Sequence, residues 1–293
     1  MKALRDVLGA PPVPDGSWER EAVYVSPAAL RLGRLKGREG APVLEVAEGL
    51  AARVRAVPGV RAVRVRPPGF LVIEVAVPGE IVREILAETA VGPRPALPSE
   101  RVAIGPDDAG PAVRGSSVWA DAPRTWGNPG FVVRYAYVRA GWVQRWARDL
   151  GMTAVSGDGS GARATRVSRD QWGDPGGPGE GGGFRPELLG DPRDRAVLRV
   201  LAELPSRRAE RDPARGRRPG GGREEPGRGA GWVAYLERLA ETYHDAFEHA
   251  PALPKGGEEP TATHVARLWM AQAVRKVLGE GLTGLGVAPP AKI

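Results

Sequence analysis

The sequence contains no cysteine among its 293 residues. This absence excludes disulfide bonds, zinc sites with thiolate ligands and a cysteine nucleophile, and it is typical of a reducing compartment. No apolar run approaches the roughly 20 residues that a membrane-spanning helix needs. The first residues, Met1 to Gly9, also lack the apolar core of a signal peptide. We therefore expect a cytoplasmic protein with no membrane segment.

Lysine is rare, and the positive charge comes mainly from arginine. A formal net charge of +7 and an isoelectric point near 10.1 favour a polyanionic partner. The physical reason is that lysine and arginine gain binding free energy when they release counterions from phosphates. The abundance of Arg, Ala, Gly and Pro is also what a GC-rich coding bias produces. Charge alone therefore leaves open whether the partner is a nucleic acid.

Residues 1–90 mix helical and strand-like patterns, which predicts a small α+β domain. Apolar residues spaced for an amphipathic helix are followed by two alternating strands around a Pro-Pro-Gly turn, and then by a closing helix. The predicted elements are a helix over 43–54, a strand over 60–65, a turn at Pro67-Pro68-Gly69, a strand over 70–77 and a helix over 80–88.

The remainder predicts a proline-rich linker over 91–118 and an all-α helical bundle over 119–293. Two glycine- and arginine-rich stretches, near 151–183 and 211–231, predict flexible loops within it. The predicted helices run from Val132 to Leu150, from Asp191-Pro192, through Trp232 to Phe247, and from Thr261 to a glycine series at Gly279, Gly281, Gly284 and Gly286.

No motif predicts a catalytic site, a metal or a cofactor. The glycine cluster at 176–183 lacks the strand-to-helix setting and the Gly-Lys-Ser/Thr ending of a phosphate-binding loop, so we interpret it as a linker. His244 and His249 have no carboxylate pattern that would complete a metal or catalytic site.

The segment Tyr135-Ala136-Tyr137-Val138-Arg139, after Asn128-Pro129, resembles the start of the anticodon-binding domain of arginyl-tRNA synthetases. In that family the corresponding residues read Tyr-Ala-His-Ala-Arg, so Tyr137 replaces a histidine. Three later segments are similar to successive helices of the same DALR-type domain. These are 188–205, 235–247 and 281–287. His244 stands where the family's bundle has a polar surface residue, so the resemblance implies that its side chain is exposed.

The N-terminal region resembles the additional domain of the same family, which packs on the elbow of the tRNA. The similarity is carried by Pro68-Gly69-Phe70 at the head of a strand and by Tyr24 to Leu32. The family's Gly-Asp before the aromatic residue is absent, and Pro27 stands near the place of its asparagine. These departures, with Tyr137, argue against strict selectivity for arginine tRNA.

In these synthetases a nucleotide-binding catalytic domain lies between the two regions, with a His-x-Gly-His type motif and a Lys-Met-Ser-Lys type loop. Neither motif occurs in this sequence. The interval from Thr89 to Trp119 has about the size of one βαβ unit. The resemblance therefore implies a protein that lacks the catalytic domain and is not an enzyme.

Tyr135 and Arg139 lie four residues apart and share a helix face, where a ring stacks on a base and a guanidinium reaches phosphate. The alternative is a core tyrosine with a surface ion pair. Arg275 is a candidate because the family also has arginine there. Three further aromatic candidates, Tyr243, Phe247 and Trp269, have a spacing that a helical core explains equally well. Phe70 is a candidate from the N-terminal resemblance.

The resemblance implies a non-catalytic paralogue that binds tRNA, with arginine tRNA as the first candidate. Arginine would supply phosphate contacts, and aromatic residues would stack on unpaired bases. The alternative is a protein-interaction or scaffold module derived from a synthetase, with the true arginyl-tRNA synthetase as a possible partner.

Overall fold

The computed structural model describes residues 2–35, 43–88, 118–120, 122–152, 184–211 and 228–293. The described residues form a region with a four-stranded sheet and four helices, followed by a region of five helices and one 3-10 turn. We call these the sheet region and the helical region. The predicted linker, except Val118, and most of the two predicted flexible loops lie outside the described residues. Among the described residues, no helix has the length and apolar character needed to cross a membrane.

The sheet region contains eight elements. In chain order they are α1 (Lys2–Leu8), β1 (Val13–Asp15), β2 (Ala22–Ser26), α2 (Ala28–Leu35), α3 (Val43–Arg55), β3 (Val60–Arg66), β4 (Phe70–Val75) and α4 (Glu80–Ala87). The strands are all antiparallel, in the order β1-β2-β4-β3. The α+β prediction is confirmed, and the predicted helix, strand, strand and helix correspond to α3, β3, β4 and α4. Strands β1 and β2 were not among the predicted elements.

Alternation along the strands places one face of the sheet in the core. Tyr24, Leu71 and Ile73 are at most 1% exposed, and α2 and α3 pack against this part of the sheet. On the opposite face, Val25 and Val72 pair in register and are half-buried. Successive strand residues point to opposite faces, so this pattern follows directly from the sequence alternation.

The helical region contains α5 (Pro129–Asp149), a 3-10 turn (Pro186–Leu188), α6 (Pro192–Leu201), α7 (Leu204–Arg211), α8 (Arg228–His249) and α9 (Ala262–Gly284). Local capping explains two of the starts. The Asp191 side chain accepts a hydrogen bond from the Arg193 amide, with Pro192 in the first helical position. The Thr261 side chain accepts from the His264 amide, while the His264 ring accepts from the Thr261 amide.

The prediction that the glycine series ends the last helix was wrong for its first two members. Helix α9 continues through Gly279 and Gly281 to Gly284. A Cβ at Gly279 would lie 3.0 Å from the Tyr137 ring, and one at Gly281 would lie 2.5 Å from the Leu236 side chain. These glycines therefore allow α5 and α8 to approach α9 closely, and tertiary packing overrides their low helix propensity.

Two further differences concern the arginine-rich stretch predicted as a loop over 211–231. Helix α8 already begins at Arg228, and the short helix α7, which was not predicted, ends at Arg211. Glu203 accepts hydrogen bonds from Arg207 and Arg238, so a buried carboxylate joins α7 to α8. Sequence periodicity does not register such a polar contact.

The two regions are in direct contact through α4. This helix packs against α9, α6 and the 3-10 turn. A Cβ at Gly79 would lie 2.3 Å from the carbonyl oxygen of Pro186, which shows how closely the turn approaches the start of α4. At the other end of α4, the Lys276 amine donates to the carbonyl oxygens of Ile85, at 2.7 Å, and Glu88.

Candidate nucleic-acid interface

One buried asparagine fixes the segment before α5. The amide nitrogen of Asn128 donates to the carbonyl oxygens of Ala120, at 3.0 Å, and Pro123, at 2.9 Å. Its side-chain oxygen accepts from the Gly130 amide at 3.0 Å, which is an N-cap interaction. Pro129 follows in the first helical position, where the missing N–H removes no helical hydrogen bond. A single side chain thus starts α5 and folds the preceding residues back onto it.

Trp119 anchors the same segment to α8. Its indole nitrogen donates to Glu237 at 2.7 Å, and the side chain is 5% exposed. A Cβ at Gly130 would lie 2.4 Å from the Cβ of Trp119, so the close approach requires glycine. These contacts hold Trp126, seven residues further on, beside the N-terminal half of α5.

Five aromatic side chains form a row along one face of α5 and its preceding turn, and we call this row the aromatic stripe. Its members are Trp126, Phe131, Tyr135, Trp142 and Trp146. Successive ring centroids lie 6.2, 5.4, 6.1 and 5.9 Å apart in that order. Within the helix the steps are four and seven residues, which return to the same face because a turn takes about 3.6 residues.

The stripe is open at its ends and packed at its centre. Trp126 is 59% exposed and Trp146 is 44% exposed. Tyr135 lies between them, stacked on Phe131 at an interplanar angle of 22° and also 5.4 Å from the His244 ring. The exposed indoles at the ends therefore offer free ring surface, whereas Tyr135 supports the row from inside.

Arg139 is held inside the protein by rings and charges. Its guanidinium carbon lies 4.5 Å from the ring centroid of Tyr135 and 4.3 Å from that of Phe247. The same group forms a 2.8 Å ion pair with Glu248 and a 3.2 Å hydrogen bond to Nδ1 of His244. The side chain is 12% exposed. The structure thus places this predicted phosphate contact in an internal network that orients Tyr135.

His244 lies beneath the stripe, so the prediction of a polar surface residue was wrong. It is 6% exposed, and its Nε2 donates to the carbonyl oxygen of Val132 at 3.0 Å. With that proton on Nε2, Nδ1 accepts from Arg139. The pKa of His244 is lowered to about 4, chiefly by burial and in addition by the Arg139 charge, while the hydrogen bond to Val132 and the Glu248 charge act in the opposite direction. The native imidazole is therefore neutral at physiological pH.

The structure brings some of the predicted residues together. Tyr135, Arg139 and Phe247 form one cluster, and the Tyr243 ring lies 6.4 Å from that of Phe247. Tyr243 is 3% exposed, and burial raises the pKa of its hydroxyl group. This placement favours its interpretation as a core residue.

The other three candidates lie apart from this cluster. Half-buried Trp269 packs on the Phe184 ring, 5.7 Å away. Phe70 is half-buried at the start of β4, where it pairs with Arg66. Arg275 is exposed on α9, and its guanidinium carbon lies 5.2 Å from the ring centroid of Tyr137.

Sequence reasoning missed four members of the stripe: Trp126, Phe131, Trp142 and Trp146. The signal was present, because Phe131, Tyr135, Trp142 and Trp146 occupy one helical face of a segment already predicted as a helix. Periodicity alone assigns such residues to a core. Only the structure shows that the face is partly open.

The described residues contain no group of three or more His, Cys, Asp or Glu side chains placed to hold a metal ion. The ionisable groups around the stripe instead pair with one another. Their arrangement orients rings and guanidinium groups. Rings and guanidinium groups are side chains that bind aromatic or anionic partners.

Residues 230–293 match the family model described as the DALR anticodon binding domain. The matched range lies in α8 and the chain after it, including all of α9. The C-terminal part of the helical region, from α8 onward, is therefore similar to the DALR anticodon binding domain.

Two curated relatives are arginine–tRNA ligases. The protein from Clavibacter sepedonicus is 33% identical over 170 residues, which cover 58% of this chain and 24% of the relative. The protein from Kineococcus radiotolerans is 33% identical over 163 residues, which cover 56% of this chain and 23% of the relative. The chain is related to arginyl-tRNA synthetases, which confirms the resemblance of its C-terminal half.

The match spans about a quarter of the length of these relatives. No solved structure matches the chain.

Proposed function

We propose that this protein is a non-catalytic RNA-binding protein whose helical region is a DALR-type bundle that binds tRNA, with arginine tRNA as the first candidate. The observation that carries the proposal is the match of 230–293 to an anticodon-binding domain. Helices α8 and α9 of this range pack against each other and against α5. This packing supports the bundle architecture, and it places the aromatic stripe next to the matched range.

Arg275 is the best-placed phosphate contact among the predicted residues. Its guanidinium lies over the Tyr137 ring, and Gly141 leaves room for it, since a Cβ there would be 3.2 Å from Nε. No acidic side chain among the described residues forms an ion pair with it. An oriented, exposed and uncompensated guanidinium is what a phosphate contact requires.

Affinity for RNA as a function of salt tests this proposal. We expect the affinity of the full chain for arginine tRNA to fall steeply between about 50 and 200 mM salt and to exceed that for an unrelated hairpin. Arg275→Gln should reduce the slope of log affinity against log salt by about one unit. The matched control is Arg53→Gln, because Arg53 is an exposed arginine of α3, outside the segments that resemble the tRNA-contacting additional domain. Equal or absent binding to all RNAs, or an unchanged slope, contradicts the proposed contact.

The non-catalytic part of the proposal is supported by the lack of both catalytic signature motifs in the sequence. An aminoacylation assay with ATP, labelled arginine and arginine tRNA tests it directly. We expect no arginyl-tRNA above the level of a reaction without protein. Product that increases with protein concentration would show an enzyme instead.

A protein-interaction module is the second candidate function. The observation that favours it is the exposure of Trp126 and Trp146, since exposed tryptophans are enriched at protein interfaces. Affinity purification after nuclease treatment distinguishes the two functions. Stoichiometric recovery of an arginyl-tRNA synthetase, together with no affinity for tRNA, would favour the scaffold.

A further inference from the structure

The C-terminal end of α5 carries two tryptophans that the Arg139 network does not use. Trp142 and Trp146 lie one turn apart, with ring centroids separated by 5.9 Å and planes inclined by 33°. Trp142 touches Tyr135 only edge-on, at 80°. Trp146 is 44% exposed, and Leu150, one turn further, is 54% exposed. Packing within the described residues therefore does not account for this end of the helix.

The charge of the same segment is strongly positive. Between Ala122 and Met152 the sequence has five arginines and one acidic residue, Asp149. Arg145 is exposed and lies three residues after Trp142, so it shares the side of the helix that carries the rings. Arg148 is also exposed, but it lies two residues after Trp146 and faces away from that ring. Among the described residues no carboxylate forms an ion pair with Arg145, whereas Arg139, in the middle of α5, pairs with Glu248. Arg145 is thus the arginine that an anion beside the two tryptophans would meet.

We propose that Trp142 and Trp146, with Arg145, form a stacking site for consecutive unpaired nucleotides of an RNA. The inference rests on the proposed RNA-binding function and deepens it by assigning a site outside the residues named from the sequence. It also specifies the chemical form of the ligand, which is single-stranded.

Three physical arguments lead to this ligand. Every base has an aromatic face, so a row of exposed rings binds a single strand without requiring a particular sequence. Paired bases are stacked inside a duplex and have no free face for an indole. The backbone that connects unpaired bases carries a negative charge at each phosphate, which matches the exposed Arg145 on the side of the helix that carries the rings.

The test compares variants of the full chain at Trp146, which is exposed enough to be replaced without loss of folding. Trp146→Ala removes the stacking surface, whereas Trp146→Phe retains an aromatic ring. We expect Trp146→Ala to weaken binding to a 12-nucleotide unpaired RNA and to arginine tRNA by about tenfold, and Trp146→Phe by less than about threefold. Leu44→Ala is the control, because Leu44 is an exposed apolar residue of α3, 50% accessible. Its affinity should equal that of the wild type.

A second measurement compares the same 12-nucleotide strand alone and paired with its complement. The single strand should bind more tightly, and the preference should shrink in Trp146→Ala. If all variants bind tRNA equally, the stacking site is overturned while the proposed function stands. If no RNA binds the wild type, both are overturned. If Trp146→Ala retains RNA binding but loses a co-purifying protein, the surface is a protein interface and the stacking site is overturned.

Discussion

The sheet region and the helical region differ in where they keep their charged pairs. In the sheet region the arginines of the ion pairs are mostly solvated, with side chains 48–68% exposed. Representative pairs are Arg61–Glu74, Arg64–Glu21 and Arg83–Glu80. Surface pairs of this kind contribute about 0–1 kcal/mol, because solvent and salt screen them.

The helical region buries two of its paired carboxylates, those of Asp194 and Glu203. Asp194 is fully buried and forms two contacts of 3.1 Å with Nε of Arg267. Glu203 is 7% exposed and is bound by three arginines, Arg199, Arg207 and Arg238. Such networks orient guanidinium groups, but they leave a buried charge unpaired when a partner is lost. We therefore expect the free energy of unfolding to respond strongly when a charge is removed from these pairs of the helical region, and weakly when one is removed from the sheet region.

The largest expected effect comes from breaking the Asp194 pair. Arg267→Ala removes the guanidinium, which also donates to the carbonyl oxygen of Pro251 at 3.2 Å. We expect the free energy of unfolding to fall by about 3–5 kcal/mol, because Asp194 stays buried without a partner. Urea denaturation followed by circular dichroism measures this change.

The matched control for that experiment is Arg64→Ala in the sheet region. The Arg64 guanidinium is 3.9 Å from Glu21, and its side chain is 68% exposed. Its replacement should cost less than about 1 kcal/mol. Similar losses of unfolding free energy in both variants would show that burial of an ion pair does not determine how much the pair stabilises the protein. The two regions would then not differ in this respect.

Most of the secondary structure could be predicted from the sequence, because apolar periodicity and capping residues are local signals. Asp191-Pro192 and Thr261 start helices where the pattern predicts them. The misses arose from tertiary contacts. Gly279 and Gly281 remain helical because neighbouring side chains fill the space of a missing Cβ, and α7 is tied to α8 by the Glu203 network.

The candidate site was predictable only in part. The i, i+4 spacing of Tyr135 and Arg139 correctly placed them on one helix face. The spacing did not show that Arg139 is enclosed by Tyr135 and Phe247, because Phe247 comes from α8. Burial of His244 likewise depends on contacts with α5. Exposure is a property of the assembled helices, so the sequence alone could not identify which rings remain free.

A smaller effect is expected from pH. Burial lowers the pKa of His244 from its usual 6.5 to about 4, so the native state binds this proton more weakly than the unfolded chain does. The part of the free energy of unfolding that depends on His244 is therefore fully present above about pH 6.5, and it is lost as the pH falls towards 4. This part amounts to about 3 kcal/mol, from the size of the pKa shift. Denaturation at a series of pH values measures it.

Two comparisons isolate this histidine. His244→Gln should flatten the pH dependence between about 4 and 6.5, whereas His249→Gln should not, because His249 is exposed. The sheet region contains no histidine, so hydrogen exchange of its core amides should show no counterpart of this transition. A pH dependence that survives in His244→Gln would assign the effect to other groups, such as His264, whose pKa burial also lowers, and would weaken the contrast.

The smallest expected effect lies at the border between the regions. The Lys276 amine, on α9, donates to the last carbonyl oxygens of α4, where a positive charge also interacts favourably with the helix C-terminus. Lys276→Met keeps the apolar stem but removes the amine, and we expect a loss of about 1–2 kcal/mol. Hydrogen exchange should become faster in α4 while the amides of β2 and β4 keep their protection. Lys292→Met, at an exposed position, is the control. If Lys276→Met instead lowers protection equally in both regions, the two regions unfold as one cooperative unit. The regions then differ in where their charges lie but not in their stability.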